Sequence, residues 1–491
     1  MVMFCPMRKR FEAQLNLGQT PIELVSIPLK SRDELPPTLA GLQWIFSTPE
    51  INEQVFELLE QKVIGNKKHT GRPGMDLWQI LVLGVCRMSL DCDYDRLEDM
   101  ANHHSLVRQI MGLPVVACDG ESFHHKTLSE NVCHVDEQLL GQINEIVVLH
   151  GRKELKKNVA EKILVKTDSY VLETNVHFPT DINLLWDAAR KSIDLLSWLA
   201  QEVGLEGWRK AKNWKTTIKG LMRQLQQTSR GGKNRHQRQE KAAKNYLRKA
   251  KELGAKVSED IGRVDKVCQD PTHFLCLEKI RYFALMLEKH IDLVERRIVK
   301  EETIPHEEKV FSLFEPHTEW IAKGKMRPSV ELGHKVLVST DQHGLILDYK
   351  VMEKTTDNQE LEPLVLRLVN RFGEGNIHSL SMDKGFSDMS KLEDLKLQIP
   401  EVVMPKKGRR NKVEEERETS SSFKRLKRRH AAIESNINEL EHHGLNRCPD
   451  KGLSGYKRYV GFGVLAYNLH RIGRALIEKQ RQAAEQKAKA A

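Results

Sequence analysis

The sequence predicts a mixed α+β fold in which helix exceeds strand, and three observations predict it. Apolar residues recur at helical spacing through much of 54–150. Two short apolar runs, 162–167 and 377–382, read as buried strands, and each leads directly into a carboxylate, Asp168 and Asp383. Between them, from 184 to about 304, the pattern turns helical again and becomes strongly basic. The expected architecture is a helical N-terminal domain, then an α/β domain interrupted by a basic helical insertion.

Taken in order, residues 1–40 mix basic and apolar residues and receive no fold or role. The helical domain is placed at 41–155, with helices expected over 54–64, 78–88, 94–101, 106–111 and 136–150. Gly71-Arg72-Pro73-Gly74 reads as a loop with Asp76 capping the helix that follows. The α/β domain is divided into 156–186 and 304–475. Its first strand ends on Asp168. The insertion, 187–303, holds sixteen Lys or Arg within 209–256 against only Glu240 and Glu252. Such a one-signed run pairs poorly with itself and suits phosphates, so Arg230, Lys233, Arg235 and Arg238 are candidate DNA contacts. Trp208 and Trp214 are assigned to packing.

Strands resume at 334–341 and 345–351 around a His343-Gly344 turn. Asp341 also follows a strand, but the adjoining turn marks it as a decoy. Asp357-Asn358-Gln359 is read as the cap of a helix over 361–369. The run to Asp383 follows, then a Lys384-Gly385 turn and a helix over 389–395. Residues 406–429 carry eleven basic residues and four acids, making Lys406, Lys407, Arg409, Arg410 and Arg429 further phosphate-contact candidates. Glu434 sits on a segment with Ile433 and Ile437 at helical spacing. Residues 476–491 form a charged tail, expected as a fraying helix.

Composition narrows the partners. The chain has 491 residues, net charge +10 and a pI near 9.0, a balance that favours a polyanion and first of all nucleic acid. Eight cysteines without a C-x2-C pair argue against a zinc ribbon and for a reducing compartment. The longest apolar stretch, 80–85, is far too short to cross a bilayer. A cytoplasmic protein is expected, with no membrane partner.

Two strand-end aspartates and a helix-borne glutamate can converge on divalent metal. Oxygen-only ligands suit Mg²⁺, and a pair of such ions can activate the attacking oxygen and stabilise the leaving one in phosphodiester chemistry. The segments D-S-Y-V-L-E-T-N-V-H-F-P-T-D (168–181) and M-D-K-G-F-S-D (382–388), with the Glu434 helix, resemble the three catalytic blocks of DDE transposases of bacterial insertion sequences, nearest the ISNCY-like group. The 71–76 segment and the Gly461 to Arg471 run resemble the family's N-terminal domain and final helix.

That resemblance implies an RNase H-like catalytic domain and a DNA-end-binding or dimerising helical domain. It implies a site of Asp168, Asp383 and Glu434 holding two Mg²⁺, with Mn²⁺ as a substitute. It also implies binding to terminal inverted repeats and target DNA, strand cleavage and strand transfer, a homodimer or larger assembly on DNA, and a place at the bacterial nucleoid. One departure stands out. The family pattern Y-x2-R-x3-E-x6-K meets Lys427, His430 and Glu441 here, so only Glu434 matches, with Arg429 one position from the arginine. The alternatives are a metal-dependent nuclease without strand transfer, and a domesticated DNA-binding protein without catalysis.

Overall fold

The computed structural model describes residues 8–12, 19–65, 74–116, 122–156, 158, 160–228, 231, 234–268, 270–323 and 329–490. Gly71, Arg72 and Pro73 of the expected loop lie outside these residues, as do Arg230 and Lys233. The chain forms two compact units, 1–175 with 321–491, and 176–320.

The larger unit begins with helices at Leu35–Ser47, Pro49–Leu59, Leu77–Ser89, Tyr94–His103, Ser105–Ile110, His125–Val132 and Glu137–Leu155. Their starts are written locally. The Asp93 carboxylate accepts the Arg96 N–H at 2.9 Å and Asp136 accepts that of Leu139 at 3.0 Å, satisfying N–H groups that a helix start leaves unpaired. Asp76 precedes Leu77–Ser89 as expected, but its side chain makes no capping bond. Leu77–Ser89 is buried almost all round, as a helix packed on every side must be.

The sheet contains β1 (Ile163–Thr174), β2 (Glu319–Ala322), β3 (Val330–Thr340), β4 (Ile346–Val351), β5 (Ile377–Met382), β6 (Glu401–Val403) and β7 (Arg447–Cys448). Its order is β2-β3-β1-β5-β6, with β4 pairing to β3 and β7 to β1. β1 runs antiparallel to β3 and parallel to β5, and β5 is parallel to β6. The expected first strand is corrected in one respect: β1 does not stop at Asp168 but continues to Thr174. Tyr170 and Leu172 are buried within one hydrophobic core shared by the sheet and the preceding helices, so the strand keeps its pairing and its apolar face beyond the acid.

The last helix, Gly452–Ala490, ties this unit together. Its Asn468 amide donates to Asn144 Oδ1 (2.7 Å) and to the Ile346 carbonyl (2.9 Å) and accepts the Ile346 N–H (2.8 Å). All three groups are buried, where an unmet polar atom would be costly. The helix expected over the charged tail is present, as the end of this helix, which runs on to Ala490.

The 176–320 unit is helical over Asp181–Glu202, Ala211–Thr228, Arg235–Asp265 and Pro271–Val294. It has a hydrophobic core of its own, including Leu196, Tyr246, Leu253 and Leu287. Trp208 is buried and donates its indole N–H to Asp260 at 2.9 Å, and Trp214 packs on the same core, in line with their assignment to packing.

Candidate active site

Register brings the two aspartates together. β1 and β5 are parallel with Thr167 opposite Met382, so the next residues, Asp168 and Asp383, leave neighbouring strands side by side. Asp168 remains in β1, opposite Val338 of β3. Asp383 stands just past the end of β5, where its Oδ1 accepts the Gly385 N–H at 2.7 Å and caps the turn Lys384–Phe386. The turn-cap role and a place in the site are therefore compatible. Helix Ala432–Leu440 turns Ile433, Ile437 and Leu440 inward and leaves Glu434 exposed, within the electrostatic reach of Asp168.

The electrostatics mark this as one cluster. Burial pushes the Asp168 carboxyl up to about 6. The Ser169 N–H, at 2.7 Å, works against that shift, and the charges of Asp383, Asp357 and Glu434 reinforce it. Among the described residues, Asp168, Asp383 and Glu434 make no ion pair. Other acids of the unit differ: Asp341 pairs with Arg152 (3.1 Å), Asp348 with Arg367 (2.8 Å) and Asp450 with Arg87 (2.7 Å). Clustered carboxylates without a protein cation repel one another, and a divalent ion is the group that relieves this. The donor set, all oxygen and partly solvated, fits a hard cation.

Asp341 is fully buried; besides Arg152 it accepts the His343 and Leu345 N–H groups at 2.9 and 3.0 Å. It anchors the β3–β4 turn, in keeping with its reading as a decoy.

A fourth acid escapes the sequence reading. Asp357 looks like a helix cap, but Glu360 occupies that position and makes no capping bond with its side chain. Asp357 instead accepts the Ser169 hydroxyl at 2.7 Å and Lys335 Nζ at 2.7 Å. Its Oδ2 and Asp383 Oδ1 both approach the Gly385 Cα substituent position, at 3.1 and 3.0 Å. The β3–β4 pairing brings the chain before Asp357 to Lys335, and the β1–β3 pairing brings Ser169 there, so no local pattern reveals this role.

A cavity of about 460 Å³ is lined among others by Glu161, Lys166, Ser381, Arg428, Arg429 and Ala432; Ser381 and Ala432 stand two residues before Asp383 and Glu434. Lys166 is 7% exposed. Burial lowers its pKa, opposed by Asp341 and helped by Arg471. It too escapes the sequence reading, where it is one polar residue inside an apolar strand. His430, standing where the family pattern has arginine, contacts the Ser381 hydroxyl at 3.4 Å. Burial lowers its pKa, while Asp383 and Glu434 pull it up.

The remaining basic candidates divide. Lys407, Arg409 and Arg429 are exposed, but Lys406 pairs with Glu414 at 2.8 Å and Arg410 with Glu418 at 3.0 Å. In the other unit Arg235 and Arg238 are exposed at the start of Arg235–Asp265, Arg238 donating to the Gly231 carbonyl at 3.0 Å. The expectation that this basic run does not pair with acids is corrected. Lys215–Asp194, Lys244–Glu240, Lys249–Glu252, Lys251–Glu295 and Lys256–Asp260 are ion pairs of 2.6 to 3.1 Å. Helical i,i+3 and i,i+4 spacing and a neighbouring helix supply acids that a linear count overlooks.

No curated protein and no solved structure matches the chain. Residues 301–469 match the family described as "Transposase DDE domain". That span includes Asp383 and Glu434, and Asp168 precedes it. DDE transposases generally use divalent metal ions. Over residues 301–469 the chain is therefore similar to a transposase DDE domain, a match that supports a DDE-type transposase.

Proposed function

We propose that the protein is the transposase of an ISNCY-like insertion sequence, binding the terminal inverted repeats of its element, cutting the DNA and joining the freed 3′ ends to a target. The observation that carries this reading is the convergence of Asp168, Asp383 and Glu434, unpaired among the described residues, together with a cavity lined by Lys166, Arg428 and Arg429. The sheet order supports an RNase H-like domain: three antiparallel strands, β4, β3 and β1, followed by parallel β5 and β6.

Asp168, Asp383 and Glu434 would hold Mg²⁺. When bound, the metal supplies activation of the attacking oxygen and charge stabilisation at the leaving one. The protein side chains do the rest by position. Asp168 and Asp383 are fixed by strand pairing, and the basic cavity wall favours a phosphate backbone at the acids' edge. Cleavage and joining use water and then a 3′-hydroxyl as nucleophiles, so no covalent intermediate with a side chain is required.

The helices of 41–155 are assigned to end binding or dimerisation. The exposed Arg235 and Arg238, with Arg230 and Lys233, are assigned to nonspecific phosphate contact. Bringing two ends together calls for a dimer or larger assembly on DNA, and the cell compartment that fits is the bacterial cytoplasm at the nucleoid.

The test is Asp383→Asn, which keeps shape and removes a charged metal ligand. Cleavage of DNA carrying the element's ends is expected to fall by several orders of magnitude, with binding in gel shifts retained. Asp168→Asn and Glu434→Gln should behave alike. Near-normal cleavage by all three would overturn the assignment. Cleavage without joined products would instead identify a nuclease, and binding without metal-dependent cleavage by the parent protein a domesticated DNA-binding protein.

A further inference from the structure

Away from the DDE acids, three side chains of the larger unit have the composition of a different metal site. Glu439, His443 and His470 each offer one ligand atom, and these atoms all lie within 4.8 Å of one another. Glu439 is on helix Ala432–Leu440, five residues beyond Glu434; His443 is in the turn Glu441–Leu445; His470 is on Gly452–Ala490.

Each residue is arranged as a ligand would be. His470 is 7% exposed, and its buried Nδ1 has no hydrogen-bond partner among the described residues. That nitrogen faces Glu439 Oε1 at 4.0 Å. A buried polar atom left unmet calls for an explanation such as an ion. Burial, followed by the charges of His443, Arg474 and Arg471, lowers His470 to about 4, so the ring is neutral at physiological pH, the form that binds metal. His443 Nδ1 lies 3.1 Å from the Ser89 carbonyl, with Glu34 Oε2 at 3.5 Å. Donation there fixes the tautomer and leaves Nε2 with its lone pair. Arg471 holds Glu439 Oε2 at 3.0 Å, leaving Oε1 toward His470. Outer partners of this kind orient metal-binding histidines and carboxylates.

Two imidazoles and one carboxylate do not suit Mg²⁺, which takes oxygen ligands. They suit a borderline transition ion such as Zn²⁺, three protein ligands leaving one position open. Arg471 and Arg474 oppose a cation here, and Glu439 and Glu34 offset them. Bound Zn²⁺ would draw the ligand atoms to about 3.4 Å from one another, a closure within reach of the side-chain torsions of Glu439 and His443. We propose that Glu439, His443 and His470 form a transition-metal site, separate from the DDE carboxylates, that clamps the helix carrying Glu434 to the final helix.

The test uses the full chain with Asp168→Asn and Asp383→Asn, in excess Mg²⁺, titrated with Co²⁺ as a spectroscopic stand-in for Zn²⁺. The expected result is one Co²⁺ per chain with visible absorption of nitrogen-ligated metal, displaced by one Zn²⁺. Adding His443→Gln or Glu439→Gln, both at the accessible edge of the cluster, should weaken binding at least tenfold and abolish the rise in Tm that Zn²⁺ gives the parent. No Co²⁺ absorption in the parent would overturn the proposal without recourse to any cluster variant. So would unchanged affinity in folded His443→Gln protein.

Discussion

At the scale of the residue, Asp168 carries a charge that its surroundings resist. An unfolded Asp titrates near 3.9, and folding raises Asp168 to about 6, chiefly through burial. The native state therefore holds a proton that the unfolded chain has released between these values. Stability falls as pH rises through that window, and the full penalty is present above about pH 6. A shift of this size corresponds to about 1–3 kcal/mol. In metal-free buffer, Asp168→Asn is expected to melt at higher temperature than the parent at pH 7.5 and at the same temperature near pH 4. Equal melting at both pH values would show that Asp168 bears no such penalty. Asp357 belongs to the same scale. It orients Ser169, the neighbour of Asp168, through a 2.7 Å bond. Asp357→Ala is expected to lower cleavage about 10–100-fold, the usual cost of removing an outer partner of a metal site, with DNA binding unchanged. Full cleavage activity would remove Asp357 from the site.

At the scale of the element, the sequence shows what is periodic and local. Helices expected over 78–88 and 361–369 are found at Leu77–Ser89 and Leu361–Phe372, and strands expected over 334–341 and 345–351 at Val330–Thr340 and Ile346–Val351. Asp383 is legible for the same reason, as an acid between an apolar run and a Gly turn. What is not legible depends on pairing across long separations. The continuation of β1 past Asp168, the role of Asp357 and the neutralised lysines of 209–256 all depend on partners that sequence spacing does not display. Element packing also explains two glycines. Helices Leu35–Ser47 and Gly452–Ala490 approach so closely that a Cβ at Gly473 would overlap the Pro37 carbonyl, and one at Gly41 the Leu469 carbonyl. Backbone atoms cannot move aside as a flexible side chain can. Gly473→Val is expected to destabilise the protein by about 3 kcal/mol or more, read as a lowered denaturation midpoint. A midpoint within error of the parent would mean that the two helices separate at little cost.

At the scale of the whole molecule, the described residues form two large hydrophobic cores that share no residue, beside a small cluster of Val403, Phe423 and Leu426. The proposed catalytic acids and residues 321–469 of the family match lie with the first, and the exposed Arg235 and Arg238 with the second. A unit with its own core can fold without the other. The 176–320 unit is closed by interactions of its own, such as Arg297 with Asp181 at 2.8 Å and Trp208 with Asp260 at 2.9 Å. Expressed alone, it is expected to show helical circular dichroism and one cooperative melt. It should also bind duplex DNA without sequence preference, because its ion pairs leave Arg235 and Arg238 exposed. Neutralised phosphates release counterions, so log affinity should fall linearly with log salt. Arg235→Gln with Arg238→Gln should reduce the slope by up to about 0.9 for each phosphate no longer neutralised, at unchanged melting temperature. A fragment that melts cooperatively but keeps its slope in the double variant would reduce these arginines to solvated surface. DNA binding would then fall to residues of the larger unit such as Lys407, Arg409 and Arg429.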